Sequence, residues 1–170
     1  FGNYFKKETI NWTYDFVVNI LGFDKNRLRP TVFGGDQEAP FDQESFEIWL
    51  NLGFSENQIG HGSRKDNFWG PIGSEGPCGP ANELYLDNVE IATLVFNEYY
   101  SDKDKQLKPL LKKGVDVGLG FDRIVMFSQN KASIYETDLL LPTLSKLPED
   151  LDERAKRIIT DHARAISFIV

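Results

Sequence analysis

Three stretches of the chain repeat apolar residues at intervals of three and four positions, the spacing that places side chains on one face of an α-helix. They cover residues 6–21, 42–52 and 152–170. A glycine follows each of the first two, where helices commonly end, and Asp42 can cap the second. The pattern predicts three amphipathic helices, and it predicts shorter ones at 119–127 and at 135–147, the latter interrupted by Pro142.

Extended segments occupy most of the remaining chain. Residues 89–100 form a β-branched and aromatic run and 83–87 alternate polar with apolar positions, so both are predicted strands. Shorter strands are predicted at 29–35, where the strand ends in paired glycines, and at 59–63 and 115–117. The glycine- and proline-rich segment 66–80 is predicted to be an ordered loop. Residues 101–113 are predicted to be a solvated turn and connector that carries Lys105, Lys108, Lys112 and Lys113.

The order of these elements predicts the fold class. Strands cluster with helices around them but without regular βαβ alternation, which is typical of an α+β fold built on an antiparallel sheet flanked by helices. An acidic connector at 147–153 is expected to divide a sheet domain, 1–147, from the start of a helical domain, 148–170.

Composition narrows the function classes. The net charge of −7 excludes an overall basic field, so any RNA contact needs a local basic surface. One cysteine excludes a disulfide framework. The longest apolar runs, such as 91–96, fall short of the ~18 residues of a membrane span, so we expect a soluble, cytoplasmic protein that does not bind membranes. The missing initiator Met and the apolar end at 166–170 predict a piece of a longer protein.

The segment 114–123, Gly-Val-Asp-Val-Gly-Leu-Gly-Phe-Asp-Arg, carries the strongest local signal. Gly118 and Gly120 leave room for a ligand against the backbone, and Arg123 can hold a phosphate through two parallel hydrogen bonds. The same pattern also fits a plain strand–helix turn with a surface arginine. It is neither a Rossmann fingerprint nor a P-loop.

The loop at 66–80 carries a second signal. Its Trp69 can form a wall of a small pocket and offer an indole N–H donor, or it can simply anchor the loop by packing beneath it. Both readings stay open from the residues alone.

In chain order, these segments resemble the catalytic core of the alanyl-tRNA synthetases, a family of class II aminoacyl-tRNA synthetases. The opening Phe-Gly-Asn-Tyr-Phe-Lys-Lys is similar to the tail of the family's motif 2, and 114–123 is similar to motif 3. The segments 66–69 and 76–80 resemble the family's characteristic loop, 89–100 the strand before motif 3, and 157–164 the opening of its helical tRNA-recognition domain.

The resemblance implies a reaction and an alanine site. Alanine and ATP, with Mg²⁺, would give alanyl-adenylate and pyrophosphate, and the alanine would then pass to tRNA(Ala). Asp116 would hold the substrate ammonium, Trp69 would line the alanine site, and Gly118 would keep it small. Thr93 stands where bacterial relatives usually carry Asn, which makes its role in substrate binding less direct.

The resemblance also implies ATP and tRNA contacts. Arg123 would grip the ATP phosphates beside Gly120, while Glu98 would either help to hold Mg²⁺ or face water. Arg157 and Arg164, seven residues apart on one helix face, would meet tRNA phosphates or remain ordinary solvated charges.

No zinc site is expected in this chain, because the Cys-x-x-Cys of many bacterial relatives is absent: Ala81 follows Cys78 at that spacing. The resemblance places zinc, together with motif 1, the front of motif 2 and an editing domain, in other parts of the parent protein. Two rival hypotheses remain from the residues. One is a non-catalytic synthetase-like paralogue that acts as a binding module, and the other is a class II enzyme for another small amino acid.

Overall fold

A six-stranded sheet dominates the chain up to Leu119, and helices make up the chain from Gly120 onward. The computed structural model describes residues 2–169 and divides them into two compact units at that point. The strands are β1 (Leu28–Phe33), β2 (Gly60–Gly62), β3 (Phe68–Trp69), β4 (Gly76–Leu86), β5 (Val89–Ser101) and β6 (Leu107–Leu119). The helices are α1 (Lys6–Tyr14, continued by a π-helix at Asp15–Ile20), α2 (Gln43–Asn51), α3 (Arg64–Asn67), α4 (Phe121–Ser128), α5 (Leu141–Leu144) and α6 (Glu153–Ile169).

The sheet confirms the predicted α+β class. Its order is β2–β1–β4–β5–β6, with β3 paired to β4 beside this path. All pairs are antiparallel except β1 with β2, which run parallel. The parallel pair was not predicted, and it arises because α2 lies between the two strands as the crossover that parallel strands require. Asp87 and Asn88, with φ of 48° and 66°, form the tight turn between β4 and β5.

Two predicted irregular segments are partly strand. The loop prediction for 66–80 is wrong at both ends: α3 and β3 occupy the segment up to Trp69, and β4 begins at Gly76 and pairs with the far end of β5. A register shift between Cys78 and Ala81 lets this strand accommodate its prolines. The connector prediction for 101–113 is wrong from Leu107 onward. There Lys108, Lys112 and Lys113 lie on β6, the last strand of the sheet order, where charged side chains are typical.

The helices α1 and α2 cover one face of the sheet and form the main core. Trp49 of α2 is fully buried, and its indole Nε1 donates to Oδ1 of Asn82 on β4 at 2.9 Å. Phe5, at the start of α1, packs edge-on against Phe96 of β5 with ring centroids 5.5 Å apart. We call this covered side of the sheet the rear face.

The second unit consists of α4, α5, α6 and a 3-10 turn at Ile134–Glu136. The helix predicted at 135–147 is wrong over most of its length, because only the end of the 3-10 turn and the four-residue α5 are helical there. Pro142 does not interrupt α5 but lies in its first turn, where its missing N–H has no helical partner to lose. The apolar side of α6 forms as predicted but stays exposed at Ile158, Ile159, Ile166 and Ile169.

Candidate functional site

The other side of the sheet, the front face, carries three of the predicted site residues in two adjacent rows. Direct cross-strand partners point to the same side of an antiparallel sheet. Thr93 pairs with Gly118 of β6 and with Glu83 of β4, which forms one row. Asp116 pairs with Val95 in the next row. The front face therefore brings Thr93, Asp116 and Gly118 together, opposite the side that α1 and α2 cover.

Asn67, the last residue of α3, holds the segment before Trp69 against the sheet. Its buried amide donates to Oγ1 of Thr31 at 2.8 Å and to the carbonyl oxygen of Ala81 at 2.9 Å. Trp69 follows on β3, pairs with Gly79, and is 47% exposed. The packing anchor of this segment is instead the buried Phe68, whose ring lies 5.2 Å from that of Phe33. Trp69 is therefore free to contact a ligand rather than committed to the core.

Carboxylates that were not singled out in the sequence surround Thr93. Its hydroxyl donates to Oε1 of Glu90 at 2.6 Å, and the hydroxyl of Tyr85 donates to Oε2 of Glu83 at 2.7 Å. Burial and the hydrogen bond to Glu83 raise the pKa of Tyr85 to about 12. Burial also raises the pKa of Glu83, with the charges of Glu90 and Asp66 adding to it against the Tyr85 hydrogen bond. This negative environment suits a cationic group such as a substrate ammonium.

Gly118 and Asp116 leave space for a ligand on the front face. A Cβ built on Gly118 would meet no atom of the described residues within 4 Å. Packing among these residues therefore does not require a glycine at this position. The Asp116 side chain is exposed. The polar alternation of 83–87 is the sequence signal that would have pointed to Glu83 and Tyr85, because residues two apart share a face.

The structure does not bring Glu98 to the front face. Its carboxylate lies on the rear face and accepts from Nζ of Lys6 at 3.3 Å and from Nζ of Lys113 at 2.9 Å. Lys6 is buried and also donates to Oδ1 of Asp42 at 2.8 Å. Although burial lowers it, the pKa of Lys6 is raised by these carboxylates. The predicted Mg²⁺ role of Glu98 is therefore not supported, because two ammonium groups already occupy its oxygens.

The predicted phosphate ligands lie at the start of α4, in the second unit. Gly120 is the N-cap of α4 and Arg123 is an exposed residue in its first turn. A Cβ on Gly120 would lie 3.1 Å from Cδ of Arg123, so the arginine stem occupies the space that glycine leaves open. The neighbouring Asp122 accepts from Nη1 of Arg164 at 2.7 Å.

The two arginines of α6 differ in their surroundings. The Arg157 guanidinium lies 5.1 Å from the ring centroid of Tyr135, whose hydroxyl donates to Asp161 at 2.7 Å. Arg157 itself is exposed, whereas Arg164 is only 26% exposed in its pair with Asp122. Arg157 is thus the more accessible of the two for a phosphate.

Residues 2–169 contain neither a metal-binding cluster nor a membrane-spanning helix. Within that range no group of three or more His, Cys, Asp and Glu side chains is arranged to hold a metal ion. No helix in the same range has the length and apolar content to cross a membrane.

Comparisons with known proteins indicate the family of the chain. The family model for class II tRNA synthetases (A) matches residues 1–170. The chain is 36% identical to the alanine–tRNA ligases of Rubrobacter xylanophilus and Schizosaccharomyces pombe over its full length, and 38% identical to the cytoplasmic alanine–tRNA ligase of Drosophila melanogaster over 99% of its length. It spans 21–23% of the length of these three relatives.

Proposed function

The chain belongs to the family of class II tRNA synthetases (A), and from this premise we propose that it is part of an alanine–tRNA ligase. The whole protein would join alanine to the AMP part of ATP, releasing pyrophosphate, and then transfer the alanyl group to the 3′ end of tRNA(Ala), releasing AMP. The observation that carries this proposal is the front face, where Thr93, Asp116 and Gly118 lie in adjacent rows beside open space. The names of the relatives, one of them cytoplasmic, support the substrate and a cytoplasmic location.

On the front face, the substrate ammonium would bind Asp116 and the methyl group would lie against Trp69 and above Gly118. Thr93 would contribute its hydroxyl oxygen as an acceptor, because its proton is already donated to Glu90. The substrate carboxylate is itself the nucleophile that attacks the α-phosphate. Catalysis thus depends on positioning and charge neutralisation, and it needs no side-chain nucleophile.

In the second unit, Arg123 would bind the ATP phosphates, because a guanidinium matches phosphate oxygens with two parallel hydrogen bonds. Gly120 would contribute by leaving room for the stem of Arg123. Mg²⁺ supplies further neutralisation of phosphate charge in this chemistry, but the described residues do not form a set that fits it. We therefore assign it to the bound ATP rather than to Glu98.

The tRNA would contact α6 through Arg157, whose exposed guanidinium can reach a phosphate without breaking an ion pair. This assignment follows the division predicted from the sequence, with a catalytic part at 1–147 and the start of a helical tRNA-binding part at 148–170.

Alanine-dependent exchange of pyrophosphate into ATP by the full-length protein tests the proposal. Alanine should support exchange, and serine and glycine should support it less, by roughly 10–200-fold, because one methyl or hydroxyl group discriminates no better in a small pocket. Absence of exchange with every amino acid would indicate the non-catalytic paralogue, and a preference for another amino acid would indicate the other rival.

A further inference from the structure

An ion pair joins the last helix of the chain to the first helix of the second unit. Nη1 of Arg164 on α6 lies 2.7 Å from Oδ1 of Asp122 on α4, a contact across 42 residues of sequence. The two side chains are 26% and 35% exposed, so the contact is partly shielded from solvent. Arg164 therefore fixes the start of α4 from a distant part of the chain.

The start of α4 lacks the usual means of holding its first turn. Its N-cap, Gly120, has no side chain to accept from the free N–H groups, and no side-chain cap is present. A capping residue such as Ser or Asp would crowd the Arg123 side chain, because its Cβ would lie 3.1 Å from Cδ of Arg123 and the arginine stem would have to shift by a few tenths of an ångström. Gly120 therefore leaves room for Arg123 but provides no side-chain cap for α4.

The pair of Asp122 with Arg164 supplies the missing restraint. Asp122 is in the first turn of α4, where a carboxylate also interacts favourably with the helix dipole. Arg123 is the next residue of the same turn, so a restraint on Asp122 restricts the orientation of Arg123 as well.

We infer that Arg164 is a positioning residue for Arg123 and acts through Asp122. The inference rests on the proposed function, because Arg123 binds ATP phosphates only if the protein is a synthetase. It gives Arg164 a role in ATP binding instead of the tRNA contact that the resemblance implied, and it leaves Arg157 as the tRNA contact on α6. It also links the helix proposed to meet tRNA to the one that carries the ATP-binding arginine.

A double-mutant cycle in the full-length protein tests this inference. Arg164→Ala and Asp122→Asn should each raise the KM for ATP in pyrophosphate exchange by roughly two- to fivefold, the range of a partly exposed ion pair, and leave the KM for alanine unchanged. The double variant should show no more than the larger single effect, because the two residues act as one unit. Arg164→Lys should restore most of the ATP affinity. Arg154→Ala, which removes an exposed arginine from the same helix, is the matched control and should change nothing.

A second readout separates this inference from the proposed function. Hydrogen exchange of the peptide that covers α4 should accelerate in Arg164→Ala and not in Arg154→Ala, whatever reaction the protein catalyses. Three results would each overturn the inference: an unchanged rate of hydrogen exchange in α4 of Arg164→Ala, a KM for ATP in the double variant that multiplies the two single effects, or a rise only in the KM for tRNA. A wild-type protein without pyrophosphate exchange but with the expected hydrogen-exchange change would overturn the proposed function and leave the restraint on α4 supported.

Discussion

Asp116 is the single residue on which the proposed alanine site depends most. It is exposed on the front face, and Gly118, two positions further along β6, lies on the same face beside open space. A carboxylate that binds an ammonium group contributes a charge-assisted hydrogen bond, whereas its amide replacement keeps the shape and loses the charge.

We expect Asp116→Asn to raise the KM for alanine about ten- to a hundredfold, which corresponds to about 1.5–3 kcal/mol for a hydrogen bond to a charged group. The KM for ATP should change far less. Pyrophosphate exchange kinetics measure both values, and Asp104→Asn in the turn between β5 and β6 is the matched control. Equal losses for both substrates would contradict the assignment.

Two glycines of the sheet, Gly79 and Gly118, differ in how much space surrounds the position of a Cβ atom. A Cβ on Gly79 would lie 1.9 Å from the carbonyl oxygen of Phe96, where only backbone movement can relieve the clash, whereas Gly118 faces open space. Gly79→Ala should lower the free energy of unfolding by about 1–3 kcal/mol or more, and Gly118→Ala should change it by less than about 0.5 kcal/mol. Thermal denaturation measures both effects.

The same pair of variants separates packing from binding. Gly118→Ala should raise the KM for alanine in exchange assays, because its methyl group would enter the space beside Thr93. If Gly118→Ala proved as destabilising as Gly79→Ala, the conclusion that Gly118 faces open space would be wrong.

At the scale of elements, a buried ionic cluster on the rear face ties α1 to the start of α2 and to β5. Lys6 binds Asp42, which also caps α2 by accepting from the backbone N–H of Ser45, and it binds Glu98 of β5. Loss of Lys6 would leave the buried carboxylate of Asp42 without its ammonium partner, whereas Glu98 would keep Lys113.

Lys6→Met should therefore lower the free energy of unfolding by about 3–5 kcal/mol near neutral pH. Because the pKa of Lys6 is raised above 10.5 in the folded state, its contribution is complete below that value and is lost as the pH rises through the folded pKa. Urea denaturation at several pH values should show the difference between wild type and variant shrinking above pH 10.5.

Lys7→Met is the control for this experiment, because Lys7 is the exposed neighbour on the same helix. A deficit in Lys6→Met that stayed constant up to strongly alkaline pH would show that packing of the side chain, and not its charge, stabilises these elements.

At the scale of the whole molecule, the chain covers about a fifth of the relatives that it matches. The central strand β5 has partners on both sides, and β6 ends the sheet order among the described residues. By the family resemblance, class II enzymes grip ATP between two arginines, and this chain contains the motif 3 arginine, Arg123.

We therefore expect the 170-residue chain alone to show no alanine-dependent pyrophosphate exchange. Loss of one preorganised phosphate donor lowers a rate by a factor on the order of 10²–10³. The full-length protein, assayed at the same concentration, is the comparison. Equal exchange by both would show that the site is complete within these residues and that the assignment of the motifs is wrong.

The sequence by itself determined the elements whose pattern is local. The helices at 6–21, 42–52 and 152–170 and the long strand at 89–100 were predicted to within a few residues, because apolar periodicity and glycine or aspartate at the ends are properties of neighbouring residues. The ordered motifs also sufficed to predict the family, since they combine several short segments in a fixed order.

Only the tertiary structure decided which face of the sheet each side chain occupies and which partner it meets. Segments 76–80 and 107–113 became strands because β5 offers them hydrogen-bond partners on either side, which outweighs their weak local preference. Glu98, five positions after Thr93 on the same strand, lies on the opposite face between two lysines, and Arg164 meets Asp122 across 42 residues. Such contacts join residues far apart in the chain, so no local pattern encodes them.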